Sequence, residues 1–472
     1  MRSGCGRRRI LVAAAVFLAG CSSGGSGADG ALPSVTQNGG GSTAQTPDTV
    51  TSETTEIPPP IEDPTAPPGL YVSLQGDDAN TGTSPSEAFR SINHGAQQLT
   101  PGVTLYVLDG VYEEDAGDGN GIALRVSGTE DAWVTVTAYP GANPVIRTTH
   151  SNGLQVQGAS YVEVSHLTFE GAVAPGNPNY SGSGINVDGR YVVQANNHHI
   201  RIIGNTISGF GGGGIPVTGT SHLEIRDNVI FDVAAVEPTQ HSGISILEPT
   251  NPGIPDDENG YSNYIIGNVV YEVENKVRSE AGRFTDGNCI IMDRLRVNDY
   301  QGRTLIANNV CYDNGGRGVQ VYQSSKVDVV HNTLYQNLNT PEIASRGGDL
   351  GAFESSDVVF ANNLVFAKEG LFPARSADSS GIVFENNLYV GSRPGNYGGA
   401  EHDGEIVITD MDRELVVAAG SAADARAYDL VQGSSAIDAG TTRFVNVVDR
   451  DFAGRERSRG SAPDIGAFEF PQ

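Results

Sequence analysis

The chain has 472 residues and a formal net charge of −27, with 56 acidic residues against 29 lysines and arginines. So acidic a protein repels polyanions at long range, which argues against nucleic acid as a partner. An acidic polymer would need a site where the charge is locally reversed.

The N-terminus has the pattern of an export signal. Three arginines at positions 7–9 precede an apolar stretch, residues 10–19, that is too short to span a bilayer. Leu18-Ala19-Gly20-Cys21 resembles the bacterial lipoprotein cleavage box, which implies a signal peptide at 1–20 and a lipid on the thiol of Cys21. The alternative is an ordinary secretory signal. Serine at position 22, directly after Cys21, resembles the pattern of lipoproteins sent to an outer membrane. We therefore expect a lipid-anchored envelope protein (outer membrane in a Gram-negative cell) or an extracellular protein. The lipid would be its only membrane contact.

Residues 21–66 are predicted to be a disordered tether, because Gly, Ser, Thr and Pro dominate and little apolar content is available to bury a core. Removal of residues 1–20 takes away four arginines and no acid, which leaves a charge of −31.

Seven asparagines recur between short apolar stretches that alternate with strand periodicity. They are Asn205, Asn228, Asn268, Asn309, Asn332, Asn363 and Asn387, separated by 23, 40, 41, 23, 31 and 24 residues. A period near 23 with insertions indicates a solenoid. Short strands with one repeated corner residue per coil predict an all-β parallel β-helix. In it, Asn would occupy the left-handed corner position, and its side-chain amide would bond to the next coil. We also expect a monomer.

A helix is predicted over residues 84–99, with Ser84 as its start, Pro85 in its first turn and apolar residues at helical spacing. It would cap the N-terminal end of the solenoid. The stretch from Tyr71 through Gly76-Asp77-Asp78 to Gly110 resembles secreted bacterial right-handed β-helix proteins, which include relatives of the pectate and alginate lyases and chondroitinase B. That resemblance implies a right-handed β-helix over residues 67–400.

The end of the chain carries a second resemblance. Ser435-Ala-Ile-Asp-Ala-Gly440, Asp451 to Arg455 and Pro463 to Glu469 are similar to the choice-of-anchor Q segment of β-helix surface proteins. Because Cys21 would already carry a lipid, we interpret residues 401–472 as a C-terminal cap. Cys289 and Cys311 lie on strands from different sides of the solenoid and are predicted to be two unpaired buried thiols.

The two longest steps of the ladder place surplus residues in neighbouring loops, which in repeat proteins usually form the binding surface. Residues 276–303 reverse the local charge, with six basic residues against four acidic ones. Because arginine can hold a carboxylate bidentately, this island predicts a site for an acidic polysaccharide. The alternative is a solvated loop with surface ion pairs. The predicted substrate-binding residues are Arg278, Arg294, Tyr322 and Glu248.

Residues 286–293 resemble an Asp-Gly-Asn-Gly-Ile-Ile-Ile-Asp stretch of these β-helix proteins, with Cys289 replacing the second glycine. Asp286 and Asp293 flank one strand, so they are candidate ligands for Ca²⁺. They would otherwise pair with Arg278 and Arg294. No organic cofactor is implied.

Three functions remain open. The first is a polysaccharide lyase that removes the proton next to a uronic carboxylate, with Lys276 as base; Arg283, Arg317 and His241 complete the predicted catalytic set. His241 is also a plausible structural hydrogen-bonding residue. The second is a glycoside hydrolase or epimerase, in which hydrolysis would use two of Glu248, Asp286 and Asp293. The third is a non-catalytic glycan-binding or envelope surface protein, since fold alone does not make an enzyme.

Overall fold

The computed structural model describes residues 66–149, 151–171, 182–190, 197–391, 393–409, 425–457 and 459–471. The predicted signal peptide, Cys21 and the tether up to residue 65 lie outside these residues. Within them, no helix is long and apolar enough to cross a membrane.

Three long parallel sheets form the molecule, and each full coil adds one strand to each sheet in the order I, II, III. Sheet I contains β1 (Leu70–Val72), β2 (Thr104–Val107), β5 (Val134–Ala138), β8 (Val162–Ser165), β11 (His198–Ile203), β14 (Ser221–Arg226), β17 (Asn263–Ile266), β20 (Thr304–Ala307), β23 (Ser325–Val330), β26 (Ser356–Ala361), β29 (Ser380–Glu385) and β31 (Glu401–Asp403). Sheet II contains β3 (Val111–Glu113), β6 (Val145–Thr148), β9 (Thr168–Gly171), β12 (Thr206–Phe210), β15 (Val229–Val233), β18 (Val269–Val273), β21 (Val310–Tyr312), β24 (Thr333–Tyr335), β27 (Leu364–Phe366), β30 (Leu388–Val390) and β32 (Ile406–Ile408). Sheet III contains β4 (Asn120–Leu124), β7 (Asn152–Gln157), β10 (Ile185–Asp188), β13 (Ile215–Thr218), β16 (Ile244–Leu247), β19 (Ile290–Asp293), β22 (Val319–Tyr322), β25 (Leu350–Phe353) and β28 (Ala374–Ala377).

The fold is therefore an all-β, right-handed parallel β-helix, as predicted. Inward residues such as Ile244, Ile290 and Val319 stack in register from coil to coil and are fully buried. The coils continue past the predicted boundary at residue 400, because β31 and β32 still pair with β29 and β30.

The N-terminal helix is shorter than predicted. Residues 84–99 form a 3-10 turn at Pro85–Glu87 and then α1 (Ile92–Gln97). The chain between them is extended, because Phe89 bridges to Val72 of β1. Helix α1 packs Ile92 and Ala96 against the first strands and covers the N-terminal end of the core. The other helical segments in the described part of the chain are α2 (Pro341–Ala344) and short 3-10 turns at Leu295–Asn298, Ala425–Tyr428 and Thr442–Phe444.

The asparagine ladder is confirmed in its hydrogen bonding. The side-chain amide of Asn309 donates to Oδ1 of Asn332 at 2.9 Å, and that of Asn332 donates to Asn363 at 2.9 Å. The pattern repeats along all seven asparagines, and Glu405 accepts the last donor, from Asn387, at 3.0 Å. One detail was predicted wrongly. The left-handed residue is the one before each ladder asparagine, such as Gly204, Asn308 or Asn362, so the ladder side chain points into the core from an ordinary backbone conformation.

Replacing Asn309 by alanine is expected to lower the free energy of unfolding by about 1–3 kcal/mol, because the buried amide groups of Asn268 lose their acceptor. Chemical denaturation followed by circular dichroism measures the change. The exposed Asn143 provides the control, and Asn143→Ala should leave stability unchanged. Equal unfolding midpoints for the two variants would contradict a stabilising ladder.

The prediction of two unpaired thiols is wrong, because Cys289 and Cys311 form a disulfide. They do belong to different sheets. Cys289 immediately precedes β19 of sheet III, and Cys311 lies in β21 of sheet II, one coil later. Both side chains point inward and are fully buried. Because the interior of the solenoid is narrow, residues on different sheets meet across it, with 5.8 Å between these two Cα atoms.

The C-terminal segment lies along the side of the solenoid, and not over its C-terminal end as the prediction of a cap implies. We call residues 425–457 and 459–471 the C-terminal strap. Its apolar residues pack on the outer faces of sheets I and II, for example Phe444 on sheet I and Tyr428 beside Tyr312 on sheet II. Three outward asparagines of the corner between these sheets bind its backbone: Asn308 to Arg450, Asn362 to Thr441 and Asn386 to Ala439, at 2.8–2.9 Å.

Candidate functional site

A groove of about 570 Å³ lies on the outer face of sheet III, across β19, β22, β25 and β28. Its floor follows from the strand register. One line of outward positions runs Ile291, Gln320, Gly351, Arg375, and a second runs Asp293, Tyr322, Phe353, Ala377. Sheet III thus places side chains from four successive coils on one surface.

The long insertions form walls of this groove. The segment between β18 and β19 contributes Arg283, Thr285 and Asp286, and the segment after β19 contributes Arg294. Arg294 is fixed by an ion pair with Glu248 at 3.0 Å. Parts of two inserted loops thus lie beside this surface, whereas residues from segments 251–256 and 300–302 line a separate pocket beside His222.

Arg317 has the least ordinary environment in the groove. Its side chain is only 4% exposed, yet none of the ion pairs among the described residues includes it, and its Nε has no hydrogen-bond partner there. Nη1 donates to Gln320 at 3.1 Å, Nη2 donates to the carbonyl of Gly347 at 3.3 Å, and the guanidinium lies 4.7 Å from the ring centre of Phe353. Burial, with the charges of Arg375 and Arg346 second, lowers the pKa of Arg317 to about 10.

The absence of a side chain at Gly351 leaves room for the contact between the Arg317 guanidinium and the Phe353 ring. A Cβ on Gly351 would lie 2.5 Å from the Phe353 ring and 3.2 Å from Cδ of Arg317. The missing side chain thus lets the ring lie across the strand and the guanidinium lie on the ring. The side-chain hydrogen bonds of Arg317 go to neutral groups, while the charges of Asp349 and Asp286 act on it without a direct ion pair. A buried cation held in this way favours an anionic ligand.

The acidic side of the groove consists of Asp286 and Asp293. Burial, then the nearby charge of Asp286, raises the pKa of Asp293 to about 6. Burial also raises the pKa of Asp286, although Thr285 donates a hydrogen bond to it at 3.0 Å. Tyr322 is the strand neighbour of Asp293, and burial, followed by the charges of Glu354 and Asp293, raises its pKa. A carboxyl group with a pKa raised to about 6 thus lies beside a phenol whose pKa is also raised.

The structure brings together six of the predicted site residues and leaves four outside. The groove is lined by Arg283, Asp286, Asp293, Arg294, Arg317 and Tyr322. Lys276 and Arg278 are exposed on the insertion, and neither lines the groove. Arg278 is bound instead by an ion pair with Glu342.

The other two predicted residues have structural contacts. Glu248 does not line the groove but pairs with Arg294. The ring of His241 shares a hydrogen bond with Thr239 at 3.1 Å, and its carbonyl accepts from Gly287 at 2.8 Å. Burial lowers the pKa of His241, so it is neutral at neutral pH.

Sequence reasoning missed several residues of the groove, chiefly Arg346, Arg375, Phe353 and Gln320. A usable signal was present. Gln320, Gly351 and Arg375 are separated by 31 and 24 residues, the same steps that separate Asn332, Asn363 and Asn387. The ladder therefore also gives the register of the outward positions from Gln320 to Arg375, although not that of Ile291 with Gln320, which are 29 residues apart.

Asp286 and Asp293 are the residues that would hold a calcium ion in this groove. Calcium takes six to eight oxygen ligands, and among the described residues, this groove included, no cluster of three or more His, Cys, Asp or Glu side chains is arranged for a metal. The neighbours of the two carboxylates are cationic, with Nε of Arg294 3.9 Å from Asp293 Oδ1. Most ligands would thus have to come from the backbone, water or substrate.

One family model agrees with the architecture, and solved structures provide distant matches. A family model described as a right-handed beta helix region matches residues 279–407. An alginate lyase from Paenibacillus sp. str. FPU-7 superimposes with a TM-score of 0.41 and 15% identity, over 67% of this chain and 96% of that one. Pectate lyase Pel9A gives 0.47 and 17%, over 86% and 97%, and a rhamnogalacturonan lyase gives 0.46 and 10%, over 75% and 91%. At these identities the likeness concerns the fold alone. No curated protein matches the sequence.

Proposed function

We propose that the groove binds an acidic, uronic-acid polysaccharide and cleaves it by β-elimination. The observation that carries the proposal is Arg317, a buried guanidinium without an ion pair among the described residues, with Arg346 and Arg375 beside it. Three arginines on one face of a strongly acidic protein are a local charge reversal, which supports an anionic ligand.

The groove contains groups suited to each part of this reaction. Asp293 would act as base and take the proton from the carbon next to the uronic carboxylate. The electron pair forms the new carbon–carbon double bond, the glycosidic bond to the leaving oxygen breaks, and Tyr322 would protonate that oxygen. Arg317, with Arg346 and Arg375, would neutralise the carboxylate and so stabilise the enolate-like intermediate. This assignment moves the base from Lys276, which is exposed outside the groove, to Asp293.

The proposal is tested by incubation with polygalacturonate, alginate and a glycosaminoglycan. Cleavage by elimination gives unsaturated ends that absorb in the ultraviolet. Asp293→Asn is expected to reduce the rate by roughly 10²–10⁴-fold, the usual contribution of a general base. Lys276→Ala is the matched control and should keep the wild-type rate. Loss of activity in Lys276→Ala but not in Asp293→Asn would refute the assignment.

The pH dependence follows from the same carboxylate. A base is active when ionised, and the pKa of Asp293 is raised to about 6. The rate should therefore rise as the pH increases through about 6, and the residual activity of Asp293→Asn should lack that limb.

The paired carboxylates favour one alternative, hydrolysis. Asp286 and Asp293 lie in one groove with raised pKa values, as an acid and a second carboxylate would in a glycoside hydrolase. New reducing ends without ultraviolet absorbance would support hydrolysis. Binding without turnover would support a glycan-binding surface protein.

Two further expectations remain proposals. Calcium binding at Asp286 and Asp293, which would replace the role of Asp293 as base, is checked by calorimetric titration of wild type against Asp286→Asn. Lipid anchoring to the bacterial envelope is checked by palmitate labelling that should disappear in Cys21→Ser.

A further inference from the structure

The turn that carries Arg317 contains two consecutive glycines. It leaves β21 after Tyr312 and reaches β22 at Val319, with Gly315 and Gly316 in between. Glycine restricts its backbone less than any other residue. The amides of Gly315 and Gly316 are held by single hydrogen bonds of 2.7 Å, to the carbonyls of Val273 and Gly287. The residues on either side are held as well, since the amide of Asn314 donates to Asn337 at 3.2 Å and that of Gly318 donates to Asp349 at 2.6 Å. A covalent link between the two ends of the turn would add a further constraint on Arg317.

The disulfide supplies that constraint from both ends of the turn. Cys311 lies at its start and is bonded to Cys289. The amide of Cys289 in turn donates to the carbonyl of Arg317, at the end of the turn, at 2.8 Å. The side-chain oxygen of the adjacent Asn288 accepts from the amide of Arg317, also at 2.8 Å. The disulfide and these hydrogen bonds therefore close a ring around the six residues between Cys311 and Gly318.

We propose that the Cys289–Cys311 disulfide is a redox-sensitive positioning device for Arg317. This proposal rests on the proposed function only for the identity of the ligand that Arg317 would bind. The effect of the disulfide on the conformation of the turn does not depend on that ligand. Reduction by a dithiol transfers two electrons and two protons to the disulfide, gives two cysteine thiols and converts the reductant to its own disulfide. The turn then keeps its hydrogen bonds but loses its covalent link.

The burial of both cysteines limits when a reductant can reach the disulfide. Neither residue is exposed, so a reductant reaches the bond only when the coil opens or before it forms. The redox state is therefore set largely during folding, and an oxidising compartment yields the ordered turn.

The first test is amide hydrogen exchange. Wild-type protein is compared in its disulfide form and after reduction in mild denaturant, refolding and removal of the denaturant under a dithiol. Cys289→Ala/Cys311→Ala serves as a second form that cannot reoxidise. Exchange of the Gly315, Gly316 and Arg317 amides should become about tenfold faster without the disulfide. The amides of Ile200 and Ile202, in a distant part of sheet I, should not change. Equal exchange in the turn, or equal acceleration at both places, would overturn the proposal.

The second test is a coupling measurement with polygalacturonate as the probe. Reduction should weaken binding by the wild type about tenfold and should have no effect on Arg317→Ala, because the two changes act on the same interaction. An equal loss in both backgrounds would mean that the disulfide does not act through Arg317 and would overturn the proposal. If the oxidised wild type does not bind the polymer, the proposed function fails, and the exchange experiment alone decides the role of the disulfide.

Discussion

Replacing Arg457 by alanine is expected to lower the free energy of unfolding by about 3–5 kcal/mol, because one partner of a buried ion pair is removed. Arg457 is fully buried and pairs with Glu469 at 2.7 Å. It also donates to Asn308 of the solenoid at 2.6 Å and to the carbonyl of Gly466 at 3.0 Å. Burial, against the opposing charge of Arg457, raises the pKa of Glu469 to about 7. Without the guanidinium, Glu469 would have to be buried as an uncompensated charge or protonated.

Urea denaturation followed by circular dichroism measures this loss. The control is Arg450→Ala, which removes a strap arginine whose pair with Glu456 is exposed on both sides. Exposed pairs contribute about 0–1 kcal/mol, so the two variants should differ by several kilocalories per mole. A stability for Arg457→Ala within error of Arg450→Ala would mean that the strap does not depend on its buried ion pair.

Replacing Arg317 by alanine is expected to weaken binding of a polyuronate by roughly 100-fold or more, since truncating one member of a desolvated charge pair costs about 2–5 kcal/mol. The fold should survive, because within the described ranges Arg317 makes only two side-chain hydrogen bonds and no ion pair, so its loss removes a buried charge without a direct partner there. Calorimetry with oligogalacturonate measures the affinity, and a thermal melt checks the fold.

The matched control is Arg278→Ala. Arg278 belongs to the same basic island of the sequence but lies outside the groove, in an ion pair with Glu342. Its removal should change the affinity less than twofold. Equal losses for the two variants would point to a diffuse electrostatic attraction, and no loss for either would rule out the groove as the binding site.

The fold could be predicted from the sequence because the ladder asparagine recurs once per coil, and such a repeat indicates a solenoid. Each asparagine marks one corner, and the steps between them give the register of sheets I and II from β11 onward. In sheet III they give it only from β22 onward, because insertions shift the earlier strands. The loop residues could not be placed in this way. Lys276 and Arg283 are seven residues apart in one insertion, yet only Arg283 reaches the groove, and that depends on loop conformation, for which the repeat carries no information.

The disulfide shows a different limit. Its two cysteines were assigned to different sheets, which is correct, but the inference that they could not meet ignored the width of the interior. Inward side chains from two sheets of one solenoid converge where the sheets adjoin. Arg346 and Arg375 were missed for a simpler reason. They lie outside the two longest insertions. Arg375 is at a strand position that only the register of later coils connects to Arg317, and Arg346 lies in the turn between α2 and β25.

The C-terminal strap has a consequence for the time course of folding. Because it follows the coils in the chain and binds their outer corner at Asn308, Asn362 and Asn386, it can dock only after those coils have stacked. Contacts made after the rate-limiting step do not speed folding, but they must break before unfolding can proceed. The strap is therefore expected to slow unfolding of the stacked solenoid. It lengthens the lifetime of the native state more than it speeds folding.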